Sequence, residues 1–300
     1  MNFEVIGFGA LNVDKLYSVD KIAGVGEERV VKNCVETAGG SAANTVVGLA
    51  RLGHKVGYIG KVGDNREGKF LLRSFIDEKV DTKGVILSKG EMSGVVIGFV
   101  DSEGERSLYV NPGANNTLDF AEIDRDYAND AVFLHLSSFF GEKQFEIQKK
   151  IVRELKKTRV SFDPGHIYAG RGCDSLRQIL KRSFVIFPNE QEIRLLTGED
   201  FKRGAETLIN KGANVVAVKL GQKGCYVINQ KEKFLINAFK VNVIDTTGAG
   251  DAFCAGFLHG LLRGKDLYDC GRIANFVASR KIEKFGARAG LPLLSELPNR

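Results

Sequence analysis

The stretch Asp245-Thr246-Thr247-Gly248-Ala249-Gly250-Asp251 carries the strongest chemical signal in this chain. Residues 252–264 follow it with the apolar spacing of a helix that ends at Gly264. A helix amino terminus offers free backbone N–H groups and the positive end of the helix dipole, and both favour an anion. Because Gly248 and Gly250 have no side chain, nothing stands between those amides and a bound phosphate. The stretch therefore predicts a phosphate-binding helix start.

Asp251 is the unexpected member of that stretch, because a carboxylate repels the phosphate of a ligand. Its presence is explained if it removes a proton from a hydroxyl that attacks the phosphate, which is the task of a general base. The alternative is an acid in the first helical turn that complements the helix dipole and has no catalytic role.

The rest of the chain alternates short β-branched runs with amphipathic stretches of 8–14 residues. Alternation of this kind is typical of a parallel sheet that is covered by helices on both faces. We therefore predict a three-layer α/β/α sandwich with a mainly parallel central sheet. The predicted strands are 3–8, 55–59, 131–136, 160–163, 184–187 and 215–220, and the predicted helices are 42–52, 68–78, 144–157, 190–197 and 204–211.

Two segments, about 12–36 and 93–111, interrupt this alternation. They have the period-two pattern of strands without a helix between them, and residues 101–105 form a predicted hairpin turn. Such strands predict a small sheet that projects from the main body and covers a ligand cleft as a lid. We expect residues 1–300 to form a single domain with this lid.

The composition is ordinary for a globular protein, with 43% hydrophobic and 27% charged residues among 300. The five cysteines are far apart and never spaced as C-x-x-C, which predicts a reducing compartment and argues against disulfides and structural zinc. No run approaches the roughly 20 apolar residues of a membrane-spanning helix. We therefore predict a cytoplasmic protein that does not bind a membrane.

The formal net charge of +6 does not predict a nucleic-acid partner. The basic pairs at 149–150, 156–157 and 181–182 lie in helix-like stretches rich in Glu and Gln, as expected for solvated helix faces. The mild positive balance is compatible with a polyanionic small substrate.

Two further glycine patterns do not define nucleotide sites. Residues 63–70 satisfy G-x-x-x-x-G-K but end in Phe70, where a P-loop needs a hydroxyl for magnesium. Gly7 and Gly9 follow a strand like a dinucleotide fingerprint, but the third glycine position is Asn12. We reject both a Walker-type NTPase and a dehydrogenase.

Residues 245–253, DTTGAGDAF, resemble the carboxyl-terminal signature of the ribokinase-like (PfkB) family of carbohydrate kinases. The amino-terminal signature of that family resembles residues 38–44, AGGSAAN, followed by ARLG at 50–53. Counterparts to 60–64, 112–115, 188–192 and 219–224 occur between them in the same order, so the resemblance extends from about residue 5 to 292. It implies an α/β fold with a β-sheet lid and transfer of the γ-phosphoryl group of ATP to a hydroxyl, usually of a sugar. It also favours the catalytic interpretation of Asp251.

The resemblance implies a role for each matching residue on the phosphate side of the site. Asp251 is the implied general base, and the amides of Gly248, Ala249 and Gly250 form the implied anion hole. The residues implied for ATP and magnesium are Asn189, Glu192, Lys219, Gly221, Gly224 and Asn275, of which Glu192 lies on the magnesium side. Asp245 and Thr247 match positions at which many relatives bind a monovalent cation such as potassium. For Asn189 and Glu192 the alternative is an ordinary helix start after Pro188.

On the acceptor side, the resemblance implies sugar binding by Asn12, Asp14, Gly39, Gly40 and Asn44. Asp163 follows a predicted strand, so we expect its carboxylate in the same cleft, on the phosphate or metal side. Arg106 in the lid is either a contact for a substrate phosphate or a solvated strand residue.

Two departures from relatives bear on the substrate. Ribokinase has a glutamate after the strand that matches 131–136, whereas this chain reads His135-Leu136-Ser137-Ser138. Keto-deoxygluconate kinases use a lid arginine where this chain places Asn111. The sequence therefore predicts a magnesium- and ATP-dependent kinase of a small neutral sugar. The alternatives are a nucleoside kinase of the same family and a non-catalytic sugar or nucleotide sensor, and the lid predicts a homodimer.

Overall fold

The computed structural model of the chain describes residues 1–103 and 105–298. Gly104, which belongs to the predicted hairpin turn at 101–105, lies outside the described residues. The strands within these ranges are β1 Phe3–Phe8, β2 Asn12–Ser18, β3 Asn33–Gly39, β4 Val56–Gly63, β5 Asp81–Ser88, β6 Gly94–Val100, β7 Arg106–Asn111, β8 Ala131–Leu136, β9 Arg159–Phe162, β10 Ser183–Ile186, β11 Val215–Lys219, β12 Cys225–Ile228 and β13 Lys233–Ile236. The α-helices are α1 Ser41–Arg51, α2 Arg66–Asp77, α3 Arg125–Asn129, α4 Glu142–Glu154, α5 Gly165–Ala169, α6 Gly172–Arg182, α7 Glu190–Thr197, α8 Phe201–Asn210, α9 Ala249–Leu262 and α10 Leu267–Ile282.

The large sheet of the described chain has the strand order β13-β12-β11-β10-β9-β8-β1-β4-β5. Neighbours from β11 to β5 pair in parallel, and β12 and β13 add an antiparallel edge. The carboxyl ends of the parallel strands therefore lie along one edge of the sheet. Strand order reverses between β8 and β1, and ligand sites of open α/β sheets form at such a reversal.

Helices cover both faces of this sheet, which confirms the predicted three-layer sandwich. Alternate residues of a strand face opposite layers, so Val5 of β1 packs with α1, α2, α9 and α10, whereas Ile6 packs with α3 to α8. Both clusters consist of buried apolar side chains, and their burial is the main favourable contribution to folding.

The predicted bounds of β1, β8 and α7 match the structure, and the other elements differ from the predictions by one to three residues at most ends. Polar caps explain the earlier helix starts. Asn65 and Asp200 cap α2 and α8 by accepting backbone N–H groups, so these helices begin at Arg66 and Phe201, before the predicted starts at 68 and 204. The helix predicted at 144–157 ends at Glu154, and the helix predicted at 252–264 begins three residues earlier, at Ala249.

The segments that interrupt the alternation form a separate four-stranded sheet, β3-β2-β6-β7, which we call the small sheet. Its first segment consists of two strands, 12–18 and 33–39, instead of one continuous ribbon over 12–36. In register, Asp14 lies beside Val96 and Thr37, and Lys15 lies beside Ile97 and Glu36. The side chains of Asp14 and its two neighbours therefore lie on one face of the small sheet, and those of Lys15 and its two neighbours lie on the other face.

None of the helices in the described ranges is long and apolar enough to cross a membrane.

Candidate active site

The carboxylate of Asp251 is held between two helices that are far apart in sequence. Asp251 is the third residue of α9, and its Oδ1 accepts a hydrogen bond from the hydroxyl of Ser41 at 2.6 Å. Its Oδ2 accepts another from Nδ2 of Asn44 at 2.8 Å. Burial raises the pKa of Asp251 to about 6, although both hydrogen bonds act to lower it. The carboxylate is therefore fixed in orientation and poised to take up a proton near neutral pH.

The start of α9 has the open geometry that the glycines predicted. Gly248 is the N-cap residue, with φ of 77°, a left-handed conformation that glycine adopts without strain. No side chain of the described residues caps the helix. The N–H of Ala249 donates to the backbone carbonyl of Thr246 at 3.1 Å, whereas the N–H groups of Gly248 and Gly250 have no such partner among the described residues and are available to a ligand. A Cβ placed on Gly250 would lie 3.3 Å from Nζ of Lys219, so this ammonium stands beside the helix start.

Lys219 forms a buried ion pair with Asp163, which directly follows β9. Nζ of Lys219 lies 2.7 Å from Oδ2 of Asp163, and the thiol of Cys254 on α9 lies 3.5 Å from the same oxygen. Burial opposes the charge of Lys219, but attraction to Asp163 and Glu192 raises its pKa overall. Asp163 therefore holds the ammonium of Lys219 in place next to the predicted anion hole.

Asn189 and Glu192 form a capping box at the start of α7. This is the ordinary helix start that the sequence analysis gave as the alternative to magnesium binding. Oδ1 of Asn189 accepts the N–H of Glu192, and Oε2 of Glu192 accepts the N–H of Asn189, both at 2.8 Å. This leaves Oε1 of Glu192 with no hydrogen bond among the described residues. Magnesium usually takes one or two carboxylates together with waters and substrate phosphates. The free oxygen of Glu192 fits that requirement.

The residues predicted on the nucleotide side differ in exposure. Gly221 has a φ of 58° and is exposed, and a Cβ placed on it would have no heavy atom within 4 Å, so the backbone there is open to a ligand. Gly224 is buried against the carbonyl of Ile236. The amide of Asn275 donates to the carbonyls of Ile236 and Asn237, both at 3.1 Å. Asn275 therefore supports the loop after β13 and presents no free amide N–H to that side.

On the acceptor side, the carboxylate of Asp14 rests against the backbone of Gly39. A Cβ on Gly39 would overlap this carboxylate, so glycine there leaves the space that the carboxylate of Asp14 occupies. Neither oxygen of Asp14 forms a hydrogen bond within the described part of the chain. Burial raises its pKa to about 6, the positive charge of Arg288 lowers it, and Asp251 raises it. The two carboxylates thus interact electrostatically, and Asp14 has both oxygens available for hydroxyl groups.

Neighbouring residues fix the backbone around this pocket. Asn12 accepts a hydrogen bond from Nδ2 of Asn115 at 3.0 Å. Gly40 caps α1 with φ of 108°, and a Cβ there would overlap the carbonyl of Ala10. The hydroxyl of Ser137 accepts the N–H of Ala42 at 3.1 Å, so the strand end that lacks a glutamate supplies a cap for α1 instead.

Arg288 is a site residue that the sequence analysis missed. Its Nε donates to Oδ1 of Asn44 at 2.8 Å, and this contact turns the amide N–H of Asn44 toward Asp251. Its Nη1 donates to Ser74 at 3.3 Å, and its guanidinium lies 5.7 Å from the ring centroid of Phe75. Nη2 is buried without a hydrogen bond among the described residues. No local motif marks Arg288, because all its partners are distant in sequence.

Asp245 and Thr247 lie in the loop that leads into α9, but the acceptors of Asp245 are already occupied. Its Oδ1 accepts the N–H of Thr247 at 2.9 Å, and its Oδ2 accepts the N–H of Gly286 at 2.8 Å. Its backbone carbonyl accepts from the ammonium of Lys281 at 2.8 Å. Nζ of Lys281 also lies 4.0 Å from Oδ2 of Asp245, so a cation at this carboxylate would lie close to an ammonium.

The structure brings together most of the predicted residues and separates others from the ligand-facing surface. Asn44 contacts Asp251, and Gly39 contacts Asp14. Lys219 lies beside Gly250 at the start of α9 and pairs with Asp163. Arg106 is exposed on β7 and lies 3.5 Å from the hydroxyl of Thr247, so the small sheet reaches the loop before α9. Within the described ranges, no group of three or more His, Cys, Asp or Glu side chains is arranged to hold a metal ion.

The chain is similar to known proteins over most of its length. A family model described as pfkB family carbohydrate kinase matches residues 3–294. An uncharacterized sugar kinase of Archaeoglobus fulgidus is 47% identical over 249 residues, which are 82% of this chain and 98% of that protein.

Solved structures show the same architecture over almost the whole length. A ribokinase of Thermotoga maritima superposes with a TM-score of 0.87 at 26% identity, covering 98% of this chain and 97% of the other. A ribokinase of Arabidopsis thaliana, complexed with ribose and ATP, superposes with the same TM-score at 25% identity and the same coverage.

Proposed function

The chain belongs to the pfkB family of carbohydrate kinases, and from this premise we propose that it transfers the γ-phosphoryl group of ATP to a hydroxyl of a small neutral sugar. The observation that carries the proposal is the position of Asp251. This carboxylate is held beside an uncapped helix start, and a second carboxylate, Asp14, stands ready for hydroxyl groups in the same pocket.

The proposed reaction is an in-line displacement at the γ-phosphorus. Asp14 accepts hydrogen bonds from acceptor hydroxyls and places one of them between Asp251 and the phosphoryl group. Asp251 removes the proton of that hydroxyl as the new O–P bond forms, and the bond to the β-phosphate oxygen breaks with its electrons leaving on ADP. Each oxygen of Asp251 has a second lone pair, so the bonds from Ser41 and Asn44 do not block this step.

The proposed anion hole consists of the amides of Gly248, Ala249 and Gly250. The N–H of Ala249 also donates to the carbonyl of Thr246 at 3.1 Å and would share this bond with the phosphoryl group, whereas those of Gly248 and Gly250 have no such partner among the described residues. N–H groups that are fixed before the reaction begins stabilise charge on the transferred group without reorganisation. Lys219 adds a positive charge beside Gly250, and Asp163 holds its ammonium in place.

ATP as the donor is supported by the Arabidopsis relative, which is complexed with ribose and ATP. Magnesium, when bound, neutralises the charge of the triphosphate. Glu192 is the residue that would hold it, through its free oxygen. Gly221 is the proposed open backbone along the nucleotide, and Gly224 and Asn275 shape the loops behind it.

The acceptor is proposed to be neutral because the pocket offers carboxylates and hydroxyls. Asp14 and Asp251 are the carboxylates, and the guanidinium of Arg288 donates to Asn44 and Ser74. Gly39 and Gly40 allow a polyol to approach the backbone. A nucleoside is the second candidate, since Leu16 and Leu108 on the same face of the small sheet as Asp14 offer an apolar surface to a base.

We propose that the small sheet is the lid of a single-domain enzyme and closes over the acceptor, excluding water that competes as a nucleophile. A homodimer through the lid is supported by apolar side chains exposed on the face opposite Asp14, of which Tyr109 is 65% exposed and Ile97 is 37% exposed. Size-exclusion chromatography with light scattering tests it: the parent should elute as a dimer and Tyr109→Glu as a monomer. A monomeric parent would contradict the dimer.

The function is tested by ADP release from magnesium-ATP with a panel of pentoses, hexoses, their phosphates and nucleosides. One neutral sugar should raise the rate far above background, and Asp251→Asn should abolish that increase. A nucleoside as the sole good acceptor would select the second candidate. If ligands bind and shift the melting temperature but no acceptor and no alternative donor gives turnover, the protein is a sensor and the kinase proposal is wrong.

A further inference from the structure

A lysine ammonium lies where the loop before α9 meets the end of α10. Nζ of Lys281 donates to the backbone carbonyl of Asp245 at 2.8 Å and to that of Lys284 at 3.5 Å. It also lies 4.0 Å from Oδ2 of Asp245, and the lysine side chain is 0% exposed. Backbone carbonyls and a carboxylate are the all-oxygen surroundings that also suit a potassium ion.

We propose that the ammonium of Lys281 is a built-in replacement for the monovalent cation that many relatives bind near the anion hole, so that this enzyme needs no potassium. The inference deepens the proposed function and rests on it in one respect, namely that the start of α9 binds the transferred phosphoryl group.

The ammonium of Lys281 already lies against Asp245, where a second cation would bind. Oδ1 is bonded to the N–H of Thr247, Oδ2 to the N–H of Gly286, and the backbone carbonyl to Lys281. A potassium ion at this carboxylate would stand next to the buried ammonium, and two positive charges at such a distance repel each other strongly where water is excluded.

The ammonium of Lys281 joins two chain segments through their backbone carbonyls, as a bound cation would. The loop before α9 contributes Asp245, and the segment after α10 contributes Lys284 and Gly286, so Lys281 and Asp245 together join the two segments. These contacts fix the residues that precede Gly248, the N-cap of the proposed anion hole. The charge of Lys281 also interacts with Asp251, which places it within electrostatic reach of the reacting groups.

Cation dependence and a pair of substitutions test the proposal. The kinase rate and the melting temperature of the parent are measured in about 0.1 M KCl and in an equal concentration of N-methylglucamine chloride, so that both solutions screen charges to the same extent. Both quantities should be the same in the two salts within about twofold and about 1 °C, as expected when neither cation occupies a specific site.

Lys281→Ala removes the charge and leaves space, so its rate should fall about tenfold in N-methylglucamine and KCl should restore it, because the half-buried carboxylate and the carbonyl of Asp245 lose their cation. KCl should also raise the melting temperature of Lys281→Ala, a readout that needs no catalysis. Lys281→Met fills the space without a charge and should not be rescued. Lys284→Ala, which removes an exposed ammonium from the same segment, is the control and should behave like the parent.

A parent enzyme activated severalfold by KCl would overturn the proposal, as would a Lys281→Ala variant that keeps the parent rate without potassium. If Lys281→Ala does not fold, the parent's salt dependence and the Lys281→Met variant still decide. If the parent shows no kinase activity, the proposed function fails, but selective stabilisation of Lys281→Ala by KCl would still support the cation site.

Discussion

The ammonium of Lys219 and the carboxylate of Asp163 lie 2.7 Å apart, and their side chains are only 14% and 6% exposed. Lys219 ends β11 and Asp163 follows β9, so the pair links two strand ends beneath the start of α9. Removing one partner of such a pair leaves an unpaired buried charge, which costs more than the pair itself contributes.

Lys219→Met should therefore lower the free energy of unfolding by about 3–5 kcal/mol. The double variant Lys219→Met with Asp163→Leu removes both charges and should recover most of that loss. Urea denaturation measures both quantities. Lys223→Met is the control, because its ammonium is 66% exposed and its removal should change stability by less than about 0.5 kcal/mol. Equal loss in the single and double variants would contradict the ion-pair argument.

Asp251→Asn should lose nearly all turnover and keep ATP affinity within a few-fold, since the amide retains the shape of the side chain but does not take up a proton. Steady-state kinetics and ATP titration measure these effects. Asp269→Asn is a matched control, because Asp269 is likewise the third residue of its helix, α10, but lies outside the site. If the helix dipole were the role of Asp251, both variants would be similarly mild.

Gly39→Ala should raise the KM of the acceptor about tenfold and leave the KM of ATP unchanged, because the new methyl group displaces the carboxylate of Asp14 and weakens a hydrogen bond to a charged group. Gly170→Ala serves as the control. Its backbone φ is −63°, and a Cβ there has its nearest neighbour at 3.4 Å. An unchanged acceptor KM in Gly39→Ala would show that Asp14 does not bind the acceptor.

In a plot of kcat/KM of the acceptor against pH, the acid limb, where the rate falls on acidification, should have its midpoint near pH 6. Burial raises the pKa values of Asp251 and Asp14 to about 6, and the reaction needs both as carboxylates. As pH falls through 6 both groups take up protons, so kcat/KM of the acceptor should fall on the acid side and be constant above it.

Arg288→Gln should move that limb upward by about one pH unit and lower kcat, because it removes the positive charge that holds Asp14 ionised and the Nε–H that orients Asn44. Arg51→Gln is the control, since Arg51 holds the carbonyl of Arg288 but contacts neither carboxylate. An unmoved limb in Arg288→Gln, or the same movement in both variants, would contradict this role for Arg288.

The sequence predicts the phosphate side of the site better than the acceptor side. Residues 245–251 are contiguous, and the requirement for a helix start with small residues is local, so the geometry at Gly248 follows from the pattern. By contrast, Ser41 and Asn44 reach Asp251 across 210 and 207 positions, and Arg288 reaches Asn44 across 244. Periodicity and spacing carry no information on contacts at such separations.

Which segments are strands and which are helices was predictable, because this follows from the local alternation of apolar residues and from helix caps. β1 and β8 are buried central strands whose apolar runs match their bounds. The antiparallel edge formed by β12 and β13 and the separation of 12–39 into two strands were not predicted, because strand direction and pairing depend on distant partners. The same motif, Asn189 to Glu192, is expected both for a capping box and for magnesium binding, so the sequence alone does not distinguish these two roles.

The order of the site residues along the chain has a consequence for how such a kinase diversifies. Apart from Asp251, the residues proposed to bind the acceptor lie between Asn12 and Asn44 and in the strands up to Asn111, whereas those proposed to bind the nucleotide begin at Asp163. Mutations that recruit a new acceptor can therefore accumulate in the first third of the gene while the ATP-handling part is inherited intact. The same division makes exchange of the first 111 residues between relatives a direct route to engineered substrate preference.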